Sequence, residues 1–357
     1  MAVGPNCGIV QTPSVRLGLL STSDDTEAQW HFRLPRRASV CSEESRDRIM
    51  QQHLLIIGAA SIDTKGRADH TIQAGTSTPG SIRVSVGGVG RNIAENLARL
   101  GEPVVLLSAV GNDGSGRRIL QQASECGMDT THILVDDEHH TAAYLAVLDD
   151  TGNAVMSIDD MNINRALITP EFVYRRRSLF RDACMIVLDA NLSSATLATI
   201  FRLARRYGLP VCADPTTASL APRLCPHLAD LTLVTPNAAE AEALCDVQVT
   251  DRESALIAAH KLIGLGVKIA IVTLGATGLI YATSQESGHV PAIECEIVDF
   301  TGAGDALTAA VIFGLLNDFA IDEAVRLGAR AAALTLQSRE TVCPRLSLER
   351  LYDQLEI

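Results

Sequence analysis

The sequence predicts an α/β fold in which helices pack on a largely parallel sheet beside a smaller β appendage. Apolar runs of strand length alternate with helix-period segments along most of the chain. Hydrophobicity comes from Ala, Leu, Val and Ile, with aromatic residues at 4%, a balance that suits a parallel sheet covered on both faces. The rhythm breaks once, at a segment that alternates as a hairpin does. At 357 residues the chain has room for one large α/β domain with an appendage.

In chain order, residues 1–52 carry scattered Pro, Ser and charge without periodicity, predicting a poorly ordered extension before a folded domain over 53–357. Its Arg-Arg-Ala-Ser run has the form of a basic-directed phosphorylation site at Ser39, and equally of a solvated tail. LLIIGAASID (54–63) reads as a buried strand with Asp63 just past its tip, where ligands of open parallel sheets gather and where an Asx turn would also sit. After a polar Gly/Thr/Ser-rich stretch (69–85), glycines 87, 88 and 90 lead into a helix whose Ile93, Leu97 and Leu100 share a face, with Gly101 as terminator. VVLLSAVG (104–111) and GRRILQQASECG (116–127) repeat strand and helix.

AAYLAVLDDTGNAVMSI (142–158) sets two alternating runs around Asp-Asp-Thr-Gly-Asn, predicting a hairpin in a separate small sheet. The rhythm resumes with strands in 184–191, 209–215, 231–237 and 268–275, helices over 194–207 and from about 239, and helices at the end of the chain.

Composition narrows the function. A net charge of -12 repels nucleic acids and anionic membranes. Nine cysteines without a Cys-x-x-Cys pair read as reduced thiols of an intracellular, cytoplasmic protein rather than a disulfide framework or zinc cluster. The longest apolar runs, near Leu54–Ala60 and Ile269–Leu274, fall short of the roughly 18 residues that span a bilayer. The acids at 24, 25 and 27 and the lack of a basic start speak against a leader peptide.

The segment EIVDFTGAGDALTAAVIFGLLND (296–318) carries the chemistry. A short β-like run leads into Thr-Gly-Ala-Gly-Asp and then an apolar helix. Glycines 302 and 304 let the chain turn tightly, and the helix start behind them aims N–H groups and its positive end outward as an anion hole. Asp305, in the first turn, is expected to stay ionised and accept a proton, although a capping Asp would look the same.

GGVGRNIAENLARLG (87–101) and DFTGAGDA (299–306), with the βα rhythm between them, resemble the two signatures of the ribokinase, or PfkB, family of carbohydrate kinases over about 53–350. The resemblance implies a ribokinase-like, three-layer Rossmann-like sandwich with a small β-sheet lid, here from about 68–86 and 140–160. It implies ATP and Mg2+, phosphoryl transfer to an alcohol, and a homodimer through the lid sheets. Asp305 resembles the catalytic base, and Gly302, Ala303 and Gly304 the anion hole. Asp63, Gly88 and Asn92 resemble the sugar-diol site, with Asn191 added by its strand end. Asn237 and Glu240 match the Asn-x-x-Glu motif that positions Mg2+ through water. Thr273, Gly275 and Gly278 match a nucleotide-binding turn, and Asp299 and Thr301 match positions that in many members lie at a monovalent-cation (K+) site formed mostly by carbonyls.

Within the family, YLAVLDDTGNAVMSIDDMNI, Asp189-Ala-Asn191 and Thr235-Pro-Asn237 look most like pseudouridine kinases, with Thr141, Asp160 and Asn164 as lid candidates. The implied reaction is phosphorylation of a nucleoside or sugar 5′-hydroxyl, that of pseudouridine first, with ribose, adenosine and other nucleosides as alternatives. A non-catalytic nucleoside-binding regulator is the alternative of another class. A dinucleotide oxidoreductase lacks support, because GAASID stands where Gly-x-Gly-x-x-Gly would follow the first strand.

Overall fold

The structure, a computed structural model, describes residues 52–353. Apart from residue 52, the expected extension and its Ser39 site lie outside the described residues.

In chain order the elements are β1 (His53–Ile57), β2 (Ser61–Ala68), β3 (Gly80–Gly87), α1 (Val89–Arg99), β4 (Val104–Gly111), α2 (Gly114–Glu125), β5 (Ile133–Asp136), β6 (Ala142–Leu148) and β7 (Ala154–Asp160). Then follow α3 (Asn162–Leu167), α4 (Pro170–Arg175), α5 (Arg177–Asp182), β8 (Ala183–Asp189), α6 (Ser194–Tyr207), β9 (Val211–Asp214), β10 (Leu233–Val234) and α7 (Ala238–Cys245). The chain continues through α8 (Arg252–Gly264), β11 (Ile269–Thr273), β12 (Leu279–Ala282), β13 (Ser287–Val290), α9 (Ala303–Leu316), α10 (Ile321–Leu336) and α11 (Leu348–Tyr352).

The main sheet runs β13-β12-β11-β10-β9-β8-β1-β4-β5, parallel except for the antiparallel edge strands β12 and β13. Strand alternation divides its core in two: Leu54 and Ile56 face a cluster with α1, α9 and α10, whereas Leu55 and Ile57 face one with α6 and α8. The result is the expected three-layer sandwich. Local chemistry marks the helix ends: Ser193 caps α6 by accepting from Thr196 N, and Gly208 closes it in the left-handed conformation. Helix α9 is buried along most of its length between α1 and α10, which explains an apolar sequence with no polar face.

A second sheet, β3-β2-β6-β7, stands apart and contains the expected hairpin as β6 and β7. Two details differ from expectation. LLIIGAASID is two strands, because the chain leaves the main sheet after Ile57 and enters the small sheet at Ser61, ahead of the expected 68. At that crossing Gly58 and Ala59 lie against Asp189, and a side chain on Gly58 would overlap its carboxylate. Residues 296–300 form no strand; the N–H groups of Val298 and Asp299 both donate to Leu336 O at the end of α10, at 2.8 and 3.3 Å.

Candidate active site

The site forms where β1, β8, β9 and β10 end and α1, α7 and α9 begin. Helix α9 opens at Gly302, whose φ of 85° is left-handed and whose missing side chain makes room for the Thr341 carbonyl. Gly302 offers no capping side chain, so the first-turn amides have neither an intrahelical partner nor a side-chain cap. A Cβ built on Gly304 meets nothing within 4 Å, leaving open space at those amides.

Asp305, in that first turn, is 8% exposed and accepts from Asn92 Nδ2 at 2.7 Å. Burial, opposed by the Asn92 amide and reinforced by Asp189 and Asp63, pushes its pKa up to about 7. The expectation of a fully ionised Asp305 at neutral pH is therefore corrected: a helix start on the surface would favour the anion, but this one is desolvated beside other carboxylates.

Asp63 lies on β2, with its carboxyl against Gly87 and Oδ1 accepting from Ser61 Oγ at 3.0 Å. Burial raises its pKa against that hydrogen bond. Gly88 caps α1, and buried Asn92 is oriented through Thr341 Oγ1, which lies 3.2 Å from Asn92 Oδ1. Asn191 donates its backbone N–H to Asp189 Oδ1 at 3.0 Å, and Arg223 holds the loop by donating to the carbonyls of residues 190–192.

Asn237 and Glu240 form a capping box at the start of α7. Glu240 Oε2 accepts from Asn237 N at 2.9 Å and Oε1 from Asn237 Nδ2 at 2.8 Å. Burial raises the Glu240 pKa against these bonds. Each oxygen keeps a lone pair for water, which fits a metal held through water. Among the described residues no group of three or more His, Cys, Asp or Glu converges as metal ligands.

Thr273, Gly275, Gly278, Ala303 and Gly304 all line one cavity of about 520 Å³, whose other walls include Ile293, Ile297, Leu307 and Leu336. A bridge between Asn237 and Thr273 sets the capping box beside that wall. The cavity's lining is mostly apolar and includes Ala303 and Gly304 at the start of α9.

Asp299 and Thr301 lie together but already share a partner. Lys65 Nζ, from β2, donates to both Asp299 oxygens at 2.7 and 2.8 Å and to Thr301 Oγ1. Burial works against the Asp299 charge, but the Lys65 and Thr301 hydrogen bonds outweigh it and hold its pKa below the ordinary value. Of the small-sheet candidates, Thr141 is bound to Asp113 and Gly111, and Asp160 accepts from Asn162 N. Asn164 is buried with neither end of its amide hydrogen-bonded.

Sequence reasoning gave no role to several residues, although it read Asp189 in a strand end. Asp189 accepts from Ala59 N at 2.7 Å and Gly90 N at 3.0 Å, tying together β8, the crossing to β2 and the start of α1. Asp214, at the end of β9, is raised well above the ordinary carboxylate range by burial and then by Asp305 and Glu240. Fully buried Arg91 pairs with Glu95 and donates to Val86 O at 2.6 Å and Thr341 Oγ1 at 3.1 Å. Strand-end position could have flagged Asp189 and Asp214; Lys65 and Thr341 carry no local signal.

An uncapped helix start, a buried carboxyl in its first turn and a cavity lined by its first residues are the parts a phosphotransferase needs. The chain belongs to the pfkB family of carbohydrate kinases, whose pattern matches residues 51–346, and it is an enzyme that phosphorylates a sugar or nucleoside hydroxyl. It is 33% identical over 307 residues to the pseudouridine kinase of Escherichia coli (strain K12), covering 86% of this chain and 97% of that one. It is 30% identical to the guanosine-inosine kinase of Exiguobacterium acetylicum, covering 80% of this chain and 95% of the relative. The fold is shared with Arabidopsis thaliana ribokinase complexed with ribose and ATP, at a TM-score of 0.74 and 23% identity over 85% of this chain and 99% of that one.

Proposed function

We propose that residues 53–357 form an ATP-dependent kinase that converts pseudouridine to pseudouridine 5′-phosphate, with the small sheet as its lid. The observation that carries this reading is Asp305: a proton acceptor with a pKa near neutrality, placed in a helix turn whose uncapped amides meet a nucleotide-sized cavity. Similarity to the E. coli pseudouridine kinase over nearly its whole length supports the choice of acceptor.

In this mechanism Asp63 accepts hydrogen bonds from the ribose diol, and Asn92 and Asn191 complete the sugar site. Asp305 takes the proton of the 5′-hydroxyl as its oxygen forms a bond to the γ-phosphorus and the bond to the ADP oxygen breaks. The amides of Ala303 and Gly304, with Gly302 shaping the turn, stabilise charge on the moving phosphoryl group. Thr273, Gly275 and Gly278 shape the nucleotide wall. Glu240 and Asn237 would hold magnesium through water, and the ion would supply positive charge to the phosphate oxygens. The small sheet, carrying Asp63, excludes water so that the phosphoryl group reaches the sugar rather than solvent.

The small-sheet face opposite Asp63 exposes Ile82, Val84, Leu145, Met156 and Ile158, which supports pairing of two copies through their lids. Among the described residues no helix is long and apolar enough to cross a membrane. Free cysteines among those residues and the acidic charge support a cytoplasmic location and small-molecule partners rather than nucleic acid.

The test is steady-state turnover with ATP and Mg2+ on pseudouridine, ribose, adenosine, guanosine and inosine. The highest kcat/KM is expected on pseudouridine, with the phosphate on its 5′-oxygen. Absence of turnover on pseudouridine refutes the assignment; binding without turnover on every acceptor would instead make the chain a nucleoside sensor.

A further inference from the structure

Building on the kinase reading above, we infer that Lys65 is a positioning residue whose ammonium group fills the Asp299–Thr301 acceptor set in place of a monovalent cation, making the enzyme independent of one. Asp63 and Lys65 are two residues apart on β2 and so project from the same face of the small sheet. One supports the sugar site, and the other reaches across 234 residues of sequence to the turn that starts α9.

That turn shapes the anion hole. Thr301 N donates to Asp299 Oδ1 at 2.9 Å, Gly302 follows in its left-handed conformation, and the first-turn amides of α9 come next. An ammonium has three N–H donors, and its three acceptors here are both Asp299 oxygens and Thr301 Oγ1. The side chains of Lys65 and Asp299 are only 10% and 15% exposed, so the pair is shielded from water and salt. A free cation at these side chains would have to displace an ammonium that is covalently part of the small sheet. The side-chain acceptors of Asp299 and Thr301 therefore do not fit an exchangeable ion while Lys65 is seated. Because the latch joins the small sheet to the α9 turn, seating of the lid and shaping of the anion hole are one event.

The experiment compares wild type with Lys65→Ala in chloride salts of choline, potassium and ammonium at constant ionic strength. Lys65→Met, which retains the aliphatic stem, serves if the alanine variant does not fold. Wild type is expected to have the same kcat/KM in all three salts. The variant is expected to lose about tenfold or more in kcat in choline and to recover in ammonium or potassium. Stimulation of wild type by potassium, unchanged kinetics in the variant, or a loss that neither cation restores would each overturn the inference.

Amide hydrogen exchange of residues 299–305 in the nucleotide-free proteins gives a readout without turnover. Faster exchange in the variant, slowed again by potassium, supports the latch, and unchanged exchange overturns it. A wild type inactive on every acceptor that still passes the exchange test would sink the kinase reading and leave the latch standing.

Discussion

Replacing Asp305 by Asn separates what this residue does for chemistry from what it costs the fold. The amide keeps the shape of the carboxyl, and its Oδ1 can still accept from Asn92 Nδ2, so the packing around α9 is retained. Loss of a general base in phosphoryl transfer lowers turnover by about 10²-fold or more. Stability moves the other way. A carboxyl whose pKa rises from 3.8 to about 7 in the folded state disfavours folding whenever it is charged. The penalty is absent at low pH, where both folded and unfolded states hold the proton, grows as pH climbs towards 7, and is constant above. At about 1.4 kcal/mol per pH unit its ceiling is roughly 4 kcal/mol. Asp305→Asn is therefore expected to match wild type in denaturant unfolding near pH 4 and to exceed it by about 2–4 kcal/mol near pH 8, while ADP release with acceptor collapses. A variant less stable than wild type at the higher pH, or one turning over within about tenfold of wild type, would refute the reasoning.

Other outcomes follow from the same geometry. Gly302→Ala puts a methyl group into the Thr341 carbonyl at a φ of 85° and is expected to cost about 2 kcal/mol or more in thermal or denaturant unfolding. Gly304→Ala meets open space and should fold at least as stably as wild type, yet lose turnover because its methyl group intrudes on the phosphoryl site. The acid limb of the wild-type kcat/KM profile should lie near pH 7, with activity rising as Asp305 loses its proton. Asn92→Ala removes the hydrogen bond that favours the anion and should move that limb to higher pH. Ile82→Glu on the exposed face of the small sheet should convert a dimer to a monomer in sedimentation, with subunit folding intact.

Much of the fold was legible because its signals are periodic. Alternating apolar runs gave β1, β4, β8 and β11, and the Asp149–Asn153 turn gave the β6–β7 hairpin. The strand LLIIGAASID could not be divided from sequence, because Gly58 to Ala60 are small and apolar and only Asp189, more than a hundred residues away, decides where the chain departs. Residues 296–300 read as a short β-like run, but the N–H groups of Val298 and Asp299 go to Leu336, a contact no local pattern encodes. In the site, glycines and Asp305 announced a helix start with an acid in it. The elevated Asp305 pKa did not follow, since it depends on burial and on Asp189 and Asp63 arriving from other strands. Lys65 was invisible for the same reason: its meaning lies in partners 234 and 236 residues further on.

The most direct test of the account is a competition in one vessel, with limiting ATP, Mg2+ and equal concentrations of pseudouridine, ribose, adenosine, guanosine and inosine, analysed by mass of the phosphorylated products. The account expects pseudouridine 5′-phosphate to dominate in wild type and to vanish with Asp305→Asn. Dominance of another phosphorylated acceptor would contradict the substrate assignment, and product formation undiminished in the Asn variant would contradict the mechanism.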